Sequence, residues 1–66
     1  MNKETIQETY KGILFNIEKD TKGYSGYLLD IEYNFNTRGS SAYEVRSNIK
    51  NFIDTLVQAK DYFYQT

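Results

Sequence analysis

Ile13-Leu14-Phe15-Asn16-Ile17-Glu18-Lys19-Asp20-Thr21-Lys22-Gly23-Tyr24-Ser25-Gly26-Tyr27-Leu28-Leu29 is the stretch that decides the fold. Ile13, Phe15 and Ile17 alternate with Leu14, Asn16 and Glu18, the period-two pattern of a strand with one buried face. That strand is read from Tyr10 to Asp20. A second is read from Tyr24 to Asn34, with Tyr27, Leu29, Ile31 and Tyr33 at alternate positions. Between them, Asp20 and Gly23 suit the first and fourth places of a type I turn closed by a left-handed glycine bulge. Such a three-residue loop sets Asp20 opposite Tyr24. Ile17 then faces Tyr27, Phe15 faces Leu29 and Ile13 faces Ile31, so both apolar sets fall on one face. A slip of one residue would turn one strand's apolar set to the other side.

Downstream, Ser41-Ala42-Tyr43-Glu44 matches a capping box, with Ser at the N-cap and Glu three residues on. Val45, Ile49, Phe52, Leu56, Ala59 and Phe63 follow at helical spacing, and Ile53 and Val57 widen the stripe. This predicts an amphipathic helix over 41–64 with one buried face. Phe35 to Arg38 reads either as a brief third strand or as the connection into the helix. Residues 1–9 form a polar lead that fits a short helix, a frayed end or an extension of the first strand. The expected class is α+β: one domain over 1–66, a two-layer sandwich of an antiparallel hairpin over 10–38 against one long C-terminal helix.

With Ile13, Phe15, Ile17, Tyr27, Leu29, Ile31 and Tyr33 assigned to the core, the other sheet face carries Tyr10, Leu14, Tyr24 and Leu28. Aromatic and aliphatic groups on an uncovered face suggest association. The chain has no Pro to blunt its strand edges. Tyr62 and Tyr64 flank Phe63 near the helix end, and at least one of them faces solvent or a partner. Tyr10, Leu14, Tyr24, Leu28, Tyr62 and Tyr64 are therefore the candidate interface residues.

Composition points the same way. The chain has 66 residues, nine acidic and eight basic, with seven Tyr and no Cys, His, Trp or Pro. A domain this small buries only about 60% of its unfolded surface, and such chains often depend on disulfides, a metal or oligomerisation. Without Cys there is no disulfide, which leaves a homodimer or higher oligomer as the expected support. The near-neutral charge lacks the basic excess of a nucleic-acid binder. No apolar run approaches the roughly 18 residues of a membrane span. The polar Met1-Asn2-Lys3-Glu4-Thr5 has no signal-peptide core, so the cytoplasm is the expected compartment.

Catalytic chemistry has little to work with. Ser–His and Cys–His pairs are impossible here. Asp30 and Glu32 share a strand face but read as solvated carboxylates. Gly39-Ser40-Ser41 before the helix, with Arg38 adjacent, makes Arg38 and Ser41 a candidate anion contact, although a turn and N-cap account for the same residues. No cofactor, metal or catalytic residue is assigned, and the protein is read as a non-enzyme.

Gly26-Tyr27 in the second strand, Thr37-Arg38-Gly39 leading into Ser41-Ala42-Tyr43-Glu44-Val45, and Lys19-Asp20-Thr21-Lys22-Gly23-Tyr24 as the first turn together resemble HicB-like antitoxin domains. Asn48-Ile49-Lys50-Asn51-Phe52-Ile53 looks like the middle of that family's helix. The likeness spans roughly residues 10–64. It departs at Asp30-Ile31-Glu32-Tyr33-Asn34, where the family usually has a Pro-Asp-x-Pro-Gly segment. The resemblance implies a stand-alone partial RNase H-like domain, without nuclease carboxylates or the DNA-binding segment, that binds proteins. The expected function is a small oligomeric inhibitor that binds and neutralises a bacterial protein, either antitoxin-like or a phage anti-defence protein. The alternatives are a nucleic-acid-binding regulator using Arg38, Arg46 and Lys50, and a dimer that sequesters a small ligand.

Overall fold

A computed structural model describes residues 4–30 and 32–64, with side chains described through residue 59. Four strands are followed by one helix: β1 (Glu4–Tyr10), β2 (Ile13–Asp20), β3 (Gly23–Leu28), β4 (Asn36–Gly39) and α1 (Ala42–Tyr64). The sheet is an antiparallel meander in the order β1-β2-β3-β4. The α1 helix packs on one face, over β3 with β2 and β4 on either side. The expected α+β two-layer arrangement is therefore present, with a larger sheet than the hairpin read from the sequence. The lead residues 4–10 form a full strand, and the segment after Phe35 forms β4.

Two tight turns build the first three strands. Lys11 and Gly12 lie at φ 52° and 82° between the paired residues Tyr10 and Ile13. Two successive left-handed residues make a type I′ turn, whose twist matches that of the strands it joins. At the next turn the main-chain N–H of Lys22 donates to Asp20 Oδ1 at 2.8 Å. This closes a side-chain turn of the kind Asp favours.

That second turn corrects the expected register. Asp20 pairs with Gly23, so the loop holds two residues, Thr21 and Lys22, instead of three. Ile17 faces Gly26 and Phe15 faces Leu28. The one-residue shift turns β3 over. Tyr24, Gly26 and Leu28 point to the helix side, while Ser25, Tyr27 and Leu29 point away. Tyr27 and Leu29 therefore leave the expected core face, and Tyr24 and Leu28 leave the expected open face. Ile31 lies outside the described residues.

Gly26 explains why the shifted register wins. A Cβ built there would lie 2.5 Å from Val45 Cγ1 and 2.6 Å from Ile49 Cδ1, closer than real carbon atoms approach. The helix uses the missing side chain to rest almost on the sheet backbone. The buried core is Phe15, Ile17, Leu28, Val45, Ile49 and Ile53. The centre of the helical stripe is thus the i, i+4 row of Val45, Ile49 and Ile53, continued by the partly buried Val57. Ala59, expected in the stripe, is exposed, and the Phe63 side chain lies outside the described residues.

The second strand stops at Leu28, short of the expected Asn34. Asp30 accepts from Glu32 N through its side chain (3.0 Å) and from Tyr33 N through its carbonyl (3.0 Å), which turns the chain away from the sheet. The turn folds Phe35 back onto Phe52, with ring centroids 4.1 Å apart and planes 9° from parallel.

The close approach at Gly26 gives a direct test. Gly26→Ala should cost about 1–3 kcal/mol by overpacking, read as a lower urea midpoint. Combining it with Val45→Ala removes one of the two clashes, that with Val45 Cγ1. The double variant should lose less than the two single losses added together, because contacting sites couple.

Candidate protein-interaction surface

Alternation along the strands sorts every candidate side chain onto one of two sheet faces. On the helix side β1 presents Glu4, Ile6, Glu8 and Tyr10, because Ile6 pairs with Ile17 and Glu8 with Phe15. The helix does not extend over Ile6, which stays 42% exposed. Two polar clasps join β1 to the helix flank. Arg46 grips Glu8 with two prongs, Nε to Oε1 at 2.9 Å and Nη2 to Oε2 at 2.8 Å. The Tyr10 hydroxyl donates to Asp54 Oδ1 at 3.0 Å, and Lys11 Nζ approaches the same oxygen at 2.7 Å. The Tyr10 ring lies under two ammonium groups, Lys50 at 5.1 Å and Lys11 at 5.4 Å from its centroid, distances at which the ring quadrupole attracts a cation.

These clasps shift the titrating groups they contain. The hydrogen bond from Arg46 holds the Glu8 carboxyl below its ordinary 4.5. The bond from Lys11 holds Asp54 below its ordinary 3.8 and raises Lys11 in return.

Beside the clasps the helix opens a shallow concavity of about 190 Å³, lined by Tyr43, Arg46, Ser47 and Lys50. Helical spacing makes this set: residues three, four and seven apart share one face. The Tyr43 side chain stands 77% exposed at its rim. A free tyrosine beside a guanidinium already fixed in place by Glu8 is the residue combination that dominates protein–protein contacts. Sequence reasoning left Tyr43 unassigned. The signal was its 200° offset from Val45 around the helix, which puts it on the side facing away from the core.

The open sheet face is more polar than the expected patch. Of Tyr10, Leu14, Tyr24 and Leu28, it carries Leu14 alone. Tyr10 and Tyr24 are on the helix side, and Leu28 is in the core at 6% exposure. Leu29 takes a place beside Leu14, since its N–H donates to the Leu14 carbonyl at 3.1 Å. The two leucines are 36% and 42% exposed. Next to them the Tyr27 hydroxyl donates to Glu18 at 3.1 Å and accepts from Asn16 Nδ2 at 3.3 Å. The side chains of Tyr62 and Tyr64 lie outside the described residues.

The candidate anion contact is not assembled. Glu44 Oε1 accepts from Ser40 N at 2.8 Å, and Ser41 Oγ accepts from Glu44 N at 3.1 Å, so the protein's own capping box occupies the helix N-terminus. Arg38 pairs with Ser25 across the strands and so lies on the open face, where it meets Asp20 at 3.4 Å. Arg38 and Ser41 therefore belong to opposite sides of the sheet, and Arg38 is equally separated from Arg46 and Lys50. Among the described residues no group of three or more acidic side chains could hold a metal ion. Among the same residues no helix is long and apolar enough to cross a membrane.

The clasps predict an acid-sensitive fold. A carboxyl whose folded pKa is depressed contributes stability above its unfolded value and loses it as pH falls through the folded value. The urea midpoint should therefore hold above pH 4.5 and decline below it, as Glu8 and Asp54 are protonated. Glu8→Gln should cost about 1 kcal/mol or less at neutral pH and flatten that decline. Tyr10→Phe, which deletes one hydroxyl, should cost about 0.5–1.5 kcal/mol.

Comparison with known proteins finds no matching family model, no similar curated protein and no similar solved structure.

Proposed function

We propose that this protein is a non-enzymatic protein-binding module, a small inhibitor that neutralises a bacterial partner protein by covering its working surface. It fits an antitoxin-like role or that of a phage anti-defence protein acting in the host cytoplasm. The observation that carries this reading is the exposed Tyr43 above the concavity formed with Arg46, Ser47 and Lys50. Tyrosine offers a large contact area for little conformational entropy. Arg46, held by Glu8, gives the concavity a side chain that is already ordered, which lowers the entropy cost of packing a partner against it. The shallow, open form of the site suits a protein surface better than an enclosed small molecule. The likeness of the turn and helix motifs to HicB-like antitoxin domains supports the same class of function.

The cations support a protein partner over a nucleic acid. Of the cations a nucleic-acid reading would use, Arg38 and Arg46 each meet a carboxylate of the chain itself, Asp20 and Glu8, and Lys50 lies over the Tyr10 ring. Phosphate binding would have to displace those pairs.

Affinity capture with the purified chain from a matched bacterial lysate, followed by titration of the recovered partner, tests the reading. Wild type should form a stoichiometric complex that blocks the partner's activity. Tyr43→Ala should keep the fold, since the side chain is 77% exposed. It should weaken the complex by roughly 30-fold or more if Tyr43 is a hot spot. A complex unaffected by Tyr43→Ala and Lys50→Glu would overturn the assignment of this surface.

A further inference from the structure

The free edge of β1 is self-complementary, and we infer that two copies of the chain pair there, antiparallel, about a two-fold axis through Gln7. The phase of the strand is set by its turn. A two-residue I′ turn closes on a hydrogen-bonded pair, here Tyr10 and Ile13. Residues then alternate along an antiparallel ladder between facing the partner strand and facing away. Glu4, Ile6, Glu8 and Tyr10 exchange main-chain bonds with β2. Thr5, Gln7 and Thr9 aim their N–H and C=O groups out of the sheet, at an edge that no other strand among the described residues covers.

Three outward residues centred on Gln7 form a palindrome. With Gln7 opposite its own copy, Thr5 meets Thr9 of the second chain and Thr9 meets Thr5, giving about six new main-chain hydrogen bonds. The side chains agree with this register. On the open face the pairs are Thr with Thr and Gln with Gln, which hydrogen-bond across strands. On the helix side Ile6 meets Glu8, and Glu4 meets Tyr10 next to Lys11, so no two like charges stand directly opposite. Ile6, which the helix leaves exposed, lies one residue from the axis and gains a neighbour. The strand is seven residues long and carries no Pro or bulge, and natural sheets seldom leave such an edge open.

A two-fold axis perpendicular to the sheet puts both helices on one side of an eight-stranded sheet. Five strand spacings separate one β3 from the other, so the helix axes stand roughly 24 Å apart. Between them runs a trough floored by the two β1 strands and walled on both sides by Arg46 and Lys50. Pairing leaves Tyr43 uncovered, so the dimer and the partner-binding reading stand or fall separately.

Light scattering of the full chain at micromolar concentration should give twice the monomer mass of 7.8 kDa. Gln7→Pro deletes the outward N–H on the axis, at an edge position where Pro is tolerated. It should yield a monomer with unchanged helical circular dichroism, while Gln7→Ala and Leu14→Lys remain dimeric. Amide hydrogen exchange on wild type gives a second test that needs no variant. Thr5, Gln7 and Thr9 amides have acceptors only in the dimer, so they should exchange slowly and speed up on dilution, while Ile6 and Glu8 stay protected throughout. A monomeric wild type, a folded Gln7→Pro variant that remains dimeric, or rapid exchange at Thr5, Gln7 and Thr9 would each overturn the inference. If Gln7→Pro does not fold, the exchange pattern decides.

Discussion

Gly26 has no side chain, and the helix occupies the space one would need. That single vacancy brings Val45 and Ile49 down onto the middle of β3, and much else is set by it. The close approach fixes which face of β3 looks inward. This in turn fixes the pairing of Ile17 with Gly26 and Phe15 with Leu28, and sends Tyr27 to the open side. It also anchors the helix over β3 and away from β1. The first strand therefore remains at the margin of the core, held by side-chain clasps more than by apolar burial.

The two kinds of attachment have different physics. Burial of six apolar side chains is insensitive to pH and, within limits, to salt. The grip of Arg46 on Glu8 and the meeting of Tyr10, Lys11 and Asp54 depend on charge and half-exposed geometry. The β1–α1 flank is thus the part of the molecule whose order answers to solution conditions. It is also the part that carries the exposed Tyr43 and the unpaired sheet edge.

The helix was the most legible element, because two independent signals agreed: the Ser41–Glu44 capping box and the apolar spacing. One bond of the capping box forms as its residues spell it, Glu44 N–H to Ser41 Oγ, while the Glu44 carboxylate reaches one residue further back, to Ser40 N–H. The register of β3 was not legible, and the reason is local. Leu28 and Leu29 are adjacent, as are Gly26 and Tyr27, so each face has an apolar candidate at nearly every step. Counting large side chains favoured Tyr27 and Leu29. The decisive residue was the one with nothing to count, since the value of Gly26 exists only once a helix is placed above it. The same blindness moved Tyr24 and Leu28 to the wrong side and left Leu14 as the correctly placed member of the sheet-face patch. β1 was hard to read because its pattern, Glu-Thr-Ile-Gln-Glu-Thr-Tyr, has one aliphatic residue; it is a strand through Thr and Tyr propensity and through the Lys11-Gly12 turn. Tyr43 needed only a helical projection to be noticed.

The meander order has a kinetic meaning. Every strand in this sheet pairs with its neighbour in the chain, so each ladder closes a short loop and costs little entropy to begin. The long-range contacts that remain are those of the helix with the sheet and its clasps to β1. As an α+β chain it belongs with the intermediate contact orders, whose folding is faster than that of all-β sandwiches and barrels. Docking of the helix at Gly26 is the step that joins locally formed hairpins to a distant part of the chain. A seven-residue open edge is hazardous chiefly while a sheet waits for its cover, and the same topology that leaves β1 at the edge also shortens that wait.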